Sequence, residues 1–479
     1  MNVPCELWER VFGAVPWRAR AALRHVCRAW RNMLDAPAPW RDAPLREVFV
    51  KCCRRGRLAA AQWLATVGRL GPADARGDDN GALCHACCDG NLEMAQWLAN
   101  RFGLGPADVR AHDNWALRFA CDGGHLAMAQ WLAAAFGLGP ADVRTGDNHA
   151  LRRACAGGHL VVAQWLVAAF GLTPADARAR DNEALQVACA GGHLETAQWL
   201  ANRFGLTPAD ARARGNEVLR GACENGHLAV AQWLAAAFGL TATDARCWDN
   251  NALRRACAGG RLAVAQWLAA TFGLTAADVR GRDNEALRLA CSHGWLATAQ
   301  WLVATFGLGP ADARDDDNLA LSGACRYGRL EVARWLADVF GLTAADARCH
   351  DNAALRGACE NGHLTVAQWL AAAFGLGPAD ARAQDSYALR SACANGDLAV
   401  AQWLVDTFSL SASDARSRDN EALRWACARG HLATATWLAD AFGLGPADAR
   451  ALDNFAWRHA RHSGHADVVQ WLGARFGLV

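Results

Sequence analysis

Apolar residues recur along this chain as two short runs at helical spacing, each stopped by glycine, and the pair of runs returns every 34 residues. Aligned on a Trp-Leu pair, the tryptophans fall at 63, 97, 131, 165, 199, 233, 267, 301, 335, 369, 403, 437 and 471. Residues 181–214 show the unit. Ala184, Leu185, Ala188 and Cys189 predict a first helix between Asn182 and Ala190, ended by Gly191-Gly192. Leu194, Ala197, Trp199, Leu200 and Phe204 predict a second, running from His193 and stopped at Gly205. Thr207-Pro208-Ala209-Asp210 has the form of a capping box with proline at the first helical position, and predicts one further helical turn. Thirteen copies without an insertion predict an all-α helical solenoid over residues 44–479.

The pattern Ala-Leu-x-x-Ala-Cys-x-x-Gly-His-Leu-x-x-Ala-Gln-Trp-Leu resembles the ankyrin repeat, which implies stacked helix pairs that bind protein partners. It departs from that family in three ways. No Thr-Pro opens the first helix, the unit is one residue longer, and Pro-Ala-Asp-Ala-Arg stands where a β-hairpin is expected.

Positions that recur in nearly every copy meet the same neighbours each time and read as scaffold, so function is expected where the copies differ. Asp at 74, 108, 142, 176, 210, 244, 278, 312, 346, 380, 414 and 448 is followed two residues later by Arg in all twelve cases, which reads as helix capping with a local ion pair in the connecting turn. Cysteine precedes the repeat tryptophan by ten residues in twelve copies, and histidine by six in seven. A metal array is a poor reading of this pattern. Stacked helices lie about 8–10 Å apart, whereas zinc ligands must all approach one ion to about 2.0–2.3 Å. The cysteine reads as a small buried apolar residue, and neither a metal nor a cofactor is expected. The repeat tryptophans read as inter-repeat core, each worth roughly 3–5 kcal/mol against alanine.

The variable positions follow Asp-Asn, follow the usual Leu-Arg, or precede Gly-His. They carry Trp115, Phe119, Tyr327, Tyr387 and Trp425, while Trp295 replaces the usual histidine and Trp248 lies in the turn before a first helix. These seven are the candidate partner-binding residues, since aromatics with arginine dominate protein interfaces. Arginine also stands two residues before Ala-Cys, or its equivalent, at 118, 152, 220, 254, 288, 356, 390, 424 and 458. Near-neutral charge and acids in every repeat favour a solvated or internally paired row over a nucleic-acid track.

Residues 1–43 lie outside the period. Leu7, Val11 and Val15 form one helical stripe stopped at Pro16, and Leu23, Val26, Cys27, Trp30 and Leu34 form a second, closed by Ala36-Pro37-Ala38-Pro39-Trp40. Such a short segment buries too little to stand alone and needs an apolar partner or the first repeat. It resembles an F-box through Pro4, Glu6, Leu7, Val11 and Phe12 and through Val26-Cys27-Arg28-Ala29-Trp30-Arg31, with Val3 and Trp17 as departures. The resemblance implies that Pro4, Leu7, Val11, Phe12, Leu23, Val26 and Trp30 meet a Skp-family adaptor of a cullin–RING ubiquitin ligase, while the repeats hold a protein target. The combination is similar to F-box/ankyrin families of large DNA viruses. The alternative is a pure interaction scaffold that sequesters a partner, with residues 1–43 capping the solenoid.

Composition narrows the function classes. With 479 residues, 53% of them hydrophobic, and a net charge of +2, the chain reads as folded and offers no global pull on nucleic acid or an anionic membrane. Nineteen cysteines in a chain with Glu6, Glu9 and Arg10 near its start point to reduced thiols, so cytoplasm or nucleus (of a host cell, if viral) is expected rather than secretion. No membrane segment, phosphate loop or nucleophile elbow is found, and a monomeric non-enzyme is expected. Lys51 is the only lysine, which GC-rich coding accounts for alongside the abundance of Ala, Gly and Arg; the other reading is that a ligase receptor so poor in acceptors resists its own ubiquitylation.

Overall fold

A computed structural model describes residues 44–478; the expected adaptor-binding residues Pro4, Leu7, Val11, Phe12, Leu23, Val26 and Trp30 lie outside them. Among the described residues the fold is helical throughout, without a strand. The repeat at 181–214 is representative: a first helix lies within Ala179–Ala190, a second is Leu194–Phe204, and the connector is the single turn Pro208–Ala211. That turn stands where the ankyrin family has its hairpin.

The described residues divide into two compact units, one ending at Gly221 and the other beginning at Ala222. In the first, the helix Pro106–Asp122 packs on Pro140–Ala156 one repeat later, and Leu117, Cys121, Leu132, Leu151 and Leu166 are all 0% exposed. In the second, Gly281–His293 packs on Pro310–Arg326, with Leu287, Cys291, Leu302, Leu321 and Leu336 equally sealed. Burial of these side chains, each worth about 1.5–3 kcal/mol, drives the stacking.

The repeat tryptophans are placed differently from expectation. They are half-buried, and all but Trp63, which has Gly68 there, meet edge-on the phenylalanine five residues later, as in Trp165–Phe170 at 5.4 Å and 82°. The leucine after each tryptophan takes the sealed position instead, because the Ala197, Leu200 and Phe204 stripe leaves Trp199 about 100° off its axis.

The connector aspartate does cap its turn, since the Thr275 backbone N–H donates to Asp278 Oδ2 at 2.8 Å. Its ion pair, however, is not local. Arg246 reaches Asp278 of the next repeat through Nε at 2.7 Å and Nη2 at 3.1 Å, and also donates to the Gly273 carbonyl at 3.1 Å. The same 32-residue link joins Arg76, Arg110, Arg144 and Arg178 to Asp108, Asp142, Asp176 and Asp210 in the first unit. In the second it also joins Arg280, Arg314, Arg348, Arg382 and Arg416 to Asp312, Asp346, Asp380, Asp414 and Asp448. A guanidinium, bidentate in all of these pairs except Arg382–Asp414, where Nε alone serves both oxygens, thus fastens these connectors to their neighbours. The Arg246 hydrogen bond, outweighing burial and aided by Thr275, holds the Asp278 carboxyl at about 2.

The repeat histidine makes a second inter-repeat link. His159 Nε2 lies 2.8 Å from the Asp122 carbonyl at the end of the preceding first helix. Its ring covers Gly124, where φ is +74° and a Cβ would stand 2.4 Å from His159 Nδ1, so glycine is required there.

Candidate functional site

From the third repeat onward, each first helix opens with three residues in the left-handed region. At Arg180, Asp181 and Asn182, φ is 53°, 57° and 66°. Three such residues cost roughly 1–2 kcal/mol each unless the surroundings hold them, and Asp and Asn tolerate the region best. The surroundings do hold them. Asn114 is buried and donates through Nδ2 to the Asp142 carbonyl and to Thr145 Oγ1, both at 3.1 Å. The arginine row supplies the rest: Arg254 is 5% exposed and donates to the Asp249 carbonyl at 2.8 Å and the Trp248 carbonyl at 2.7 Å. Arg152, Arg390 and Arg424 repeat this fork over Gly146-Asp147, Gln384-Asp385 and Arg418-Asp419. The row is thus internally bonded, with each guanidinium locking the turn that begins its own helix.

This lock aims the variable positions. The residue after Asn occupies the first right-handed turn, and the residue four later lies beside it on the same face. Trp115 and Phe119 meet there at 5.6 Å, with the exposed His112 ring 5.2 Å from Trp115. In the second unit, Tyr387 lies with Arg356 and Arg390 at 5.3 and 5.5 Å from its ring, and its hydroxyl donates to Glu360 at 3.1 Å. Trp425 packs edge-on against Phe455 at 5.3 Å, with Arg429 over its ring at 5.3 Å and Arg424 over Phe455 at 5.0 Å. Phe455 is a member of this cluster that sequence reading passed over, although it occupies the same repeat position as Trp115 and Tyr387.

The other candidates stand apart from these clusters. Tyr327 is 55% exposed at the end of a first helix, and Trp248 is 58% exposed within a left-handed turn at φ 53°. Trp295, 42% exposed, donates through Nε1 to the Ala258 carbonyl at 2.8 Å, the link a histidine makes in other copies.

Charge along the row depends on what stands 31 residues later. Where that residue is glutamate the arginine is neutralised, as in Arg152–Glu183 at 2.5 Å, Arg254–Glu285 and Arg390–Glu421. Beside Arg118, Arg356 and Arg424 the equivalent residues are His149, Tyr387 and Phe455. Arg153 Nε donates to His149 Nε2 at 2.7 Å, and Arg118 Nη2 approaches the same nitrogen at 3.5 Å. Burial, then Arg118, Arg152 and Arg153, pull the His149 pKa down to about 4, so the imidazole is neutral at pH 7.

The recurrent cysteines are sealed in both units, and burial pushes the thiols of Cys53, Cys257 and Cys427 up to about 12, which keeps them protonated and unreactive. Among the described residues, no three His, Cys, Asp or Glu side chains are grouped to hold a metal ion, and no helix is long and apolar enough to cross a membrane.

Comparisons with known proteins bear on the repeats. Residues 355–448 match the family model for ankyrin repeats (3 copies). A search of curated proteins finds no match. Among solved structures, the chain is similar to the pentatricopeptide repeat protein PPR10 from maize at 14% identity and a TM-score of 0.28, over 99% of this chain and 73% of that one.

Proposed function

We propose that the protein is a non-enzymatic receptor with two parts, an F-box-like module at residues 1–43 and an ankyrin-like repeat region at 44–479. The repeats hold a protein target, and the module joins it to a Skp/cullin ubiquitin ligase in the cytoplasm or nucleus, of a host cell if the viral resemblance extends to origin. One observation carries the binding half: a constant, internally bonded scaffold displays clusters of aromatics and arginine at the positions where copies differ, as at Trp115–Phe119 and Trp425–Phe455. The ankyrin match at 355–448 supports the same reading. The ligase half rests on Pro4, Glu6, Leu7, Val11, Phe12 and Val26-Cys27-Arg28-Ala29-Trp30-Arg31.

Co-purification with a Skp-family adaptor tests it, comparing the full chain with one lacking residues 1–43 and with Leu7→Asp/Trp30→Ala. Binding by the intact sequence alone is the expected result. A full chain that folds and leaves the adaptor unbound refutes the ligase link and favours the scaffold that sequesters a partner, a reading supported by a family match on repeats alone.

A further inference from the structure

Across the first unit, the inner arginines differ in how their charge is met. Arg152 has Glu183, and the same carboxylate position serves Arg254 and Arg390 in the second unit. Arg118 has an imidazole there. It donates to the His112 and Asp113 carbonyls at 3.3 and 3.4 Å, while its Nη2 and the Nε of Arg153 converge on the single lone pair of His149 Nε2. Two guanidiniums aimed at one neutral nitrogen mark a place where an oxyanion would accept more and stronger hydrogen bonds. The Trp115–Phe119 pair lies beside it on the same helix, half-buried and open to a partner.

We propose that Arg118, His149 and Arg153 form a docking site for an oxyanion side chain, carboxylate or phosphoryl, of an extended protein segment whose neighbouring apolar side chain lies on Trp115 and Phe119. The inference rests on the reading of the repeats as a protein-binding surface, and names the chemistry of that partner. The acids around the cluster argue for a protein segment rather than a nucleic acid. Asp113 is exposed next to Arg118, Asp122 lies 3.9 Å from Arg153, and Asp147 lies 3.4 Å from Arg180. A polyphosphate would bring its successive charges against these carboxylates, whereas one oxyanion flanked by apolar side chains avoids them.

The test uses the full chain and a phage-displayed random peptide library, followed by fluorescence polarisation with the selected peptides. Selected sequences are expected to carry Asp or Glu next to an aromatic or branched residue. Their affinity should fall by about tenfold or more on His149→Glu, which supplies the carboxylate that other repeats already have at this position, and on Trp115→Ala/Phe119→Ala. His149→Glu should melt no lower than the parent, so its loss of binding reads the site rather than the fold. Arg203→Glu, on a second helix, should bind normally. Replacing the acid of the peptide by its amide should abolish binding, and replacing it by phosphoserine assigns the source, tighter binding favouring phosphoryl and weaker binding carboxylate. Peptides that bind the parent and His149→Glu alike would overturn the site while leaving the protein-binding reading intact. If the full chain retains no peptide, both fall; preference for a single-stranded oligonucleotide over every peptide would also overturn the proposal.

Discussion

Replacing Arg254 by methionine probes the left-handed turn and its lock together. The guanidinium is 5% exposed, forks onto the Trp248 and Asp249 carbonyls at 2.7 and 2.8 Å, and pairs with Glu285 of the next repeat. Methionine keeps the stem's packing and removes all three bonds. A hydrogen bond from a charged group contributes about 1.5–3 kcal/mol, and breaking a buried pair costs about 3–5 kcal/mol. The Glu285 side chain keeps 26% of its exposure and can be rehydrated, which places the expected loss near the low end, at about 3 kcal/mol. A stack of repeats need not unfold in one step, so the loss should be read locally. Amide exchange over Cys247–Ala258 is expected to accelerate by about two orders of magnitude. Arg254→Lys should recover less than half of the protection, because an ammonium cannot span both carbonyls and the carboxylate in one plane. Exchange within about tenfold of the parent for Arg254→Met, or full protection in Arg254→Lys, would refute the lock.

Three further predictions follow from the same geometry. Asp278 is held at about 2, below its unfolded value, so the stability it contributes is fully present above about pH 4 and is lost as pH falls through 2; Asp278→Asn should cost about 1–2 kcal/mol at pH 7, after allowance for the solvent around the 38% exposed Arg246, and progressively less as pH falls through 2, as read by thermal unfolding against pH. Leu452 sits in the left-handed region at φ 49° and is 53% exposed, so Leu452→Gly should raise the melting temperature by relieving strain worth roughly 1–2 kcal/mol, less the entropy that glycine adds to the unfolded chain. Leu166, 0% exposed, should cost about 2–5 kcal/mol when replaced by alanine, and the half-buried Trp165 less, a ranking that urea denaturation of the two variants decides.

The helix pairs and their connecting turn were legible in the sequence, because apolar spacing, glycine stops and a Thr-Pro-x-Asp start are local signals. What crosses repeats was not. The Asp-x-Arg constancy suggests a local pair, yet Arg246 projects away from its own Asp244 region toward Asp278, a choice made by stacking geometry. The Asp-Asn at most first helices resembles a capping start, and nothing in residue types distinguishes that from a left-handed turn held by an arginine five and six residues downstream, as Arg254 holds Asp249 and Trp248. The mid-helix place of Trp199 beside Leu200 suggests the face that meets the next repeat, while helical periodicity puts it off the Ala197–Leu200–Phe204 stripe. Within the candidate site, Trp115 and Phe119 were visible as aromatics at variable positions. His149 was passed over, because its meaning lies in what it replaces: the glutamate that neutralises the same arginine one repeat on.

The central claim is that one chain links a target on its repeats to a ligase at residues 1–43, and reconstituted ubiquitin transfer tests it most directly. A selected acidic peptide, fused to a lysine-bearing carrier, would be presented with the full chain, a Skp-family adaptor, a cullin–RING complex and a charged ubiquitin-conjugating enzyme. The expected result is modification of the carrier by the parent chain, lost both with Leu7→Asp/Trp30→Ala and with His149→Glu, and little modification of the receptor itself, whose only lysine is Lys51. Carrier modification that persists in either variant, or its absence when peptide and adaptor are both bound, would contradict the claim.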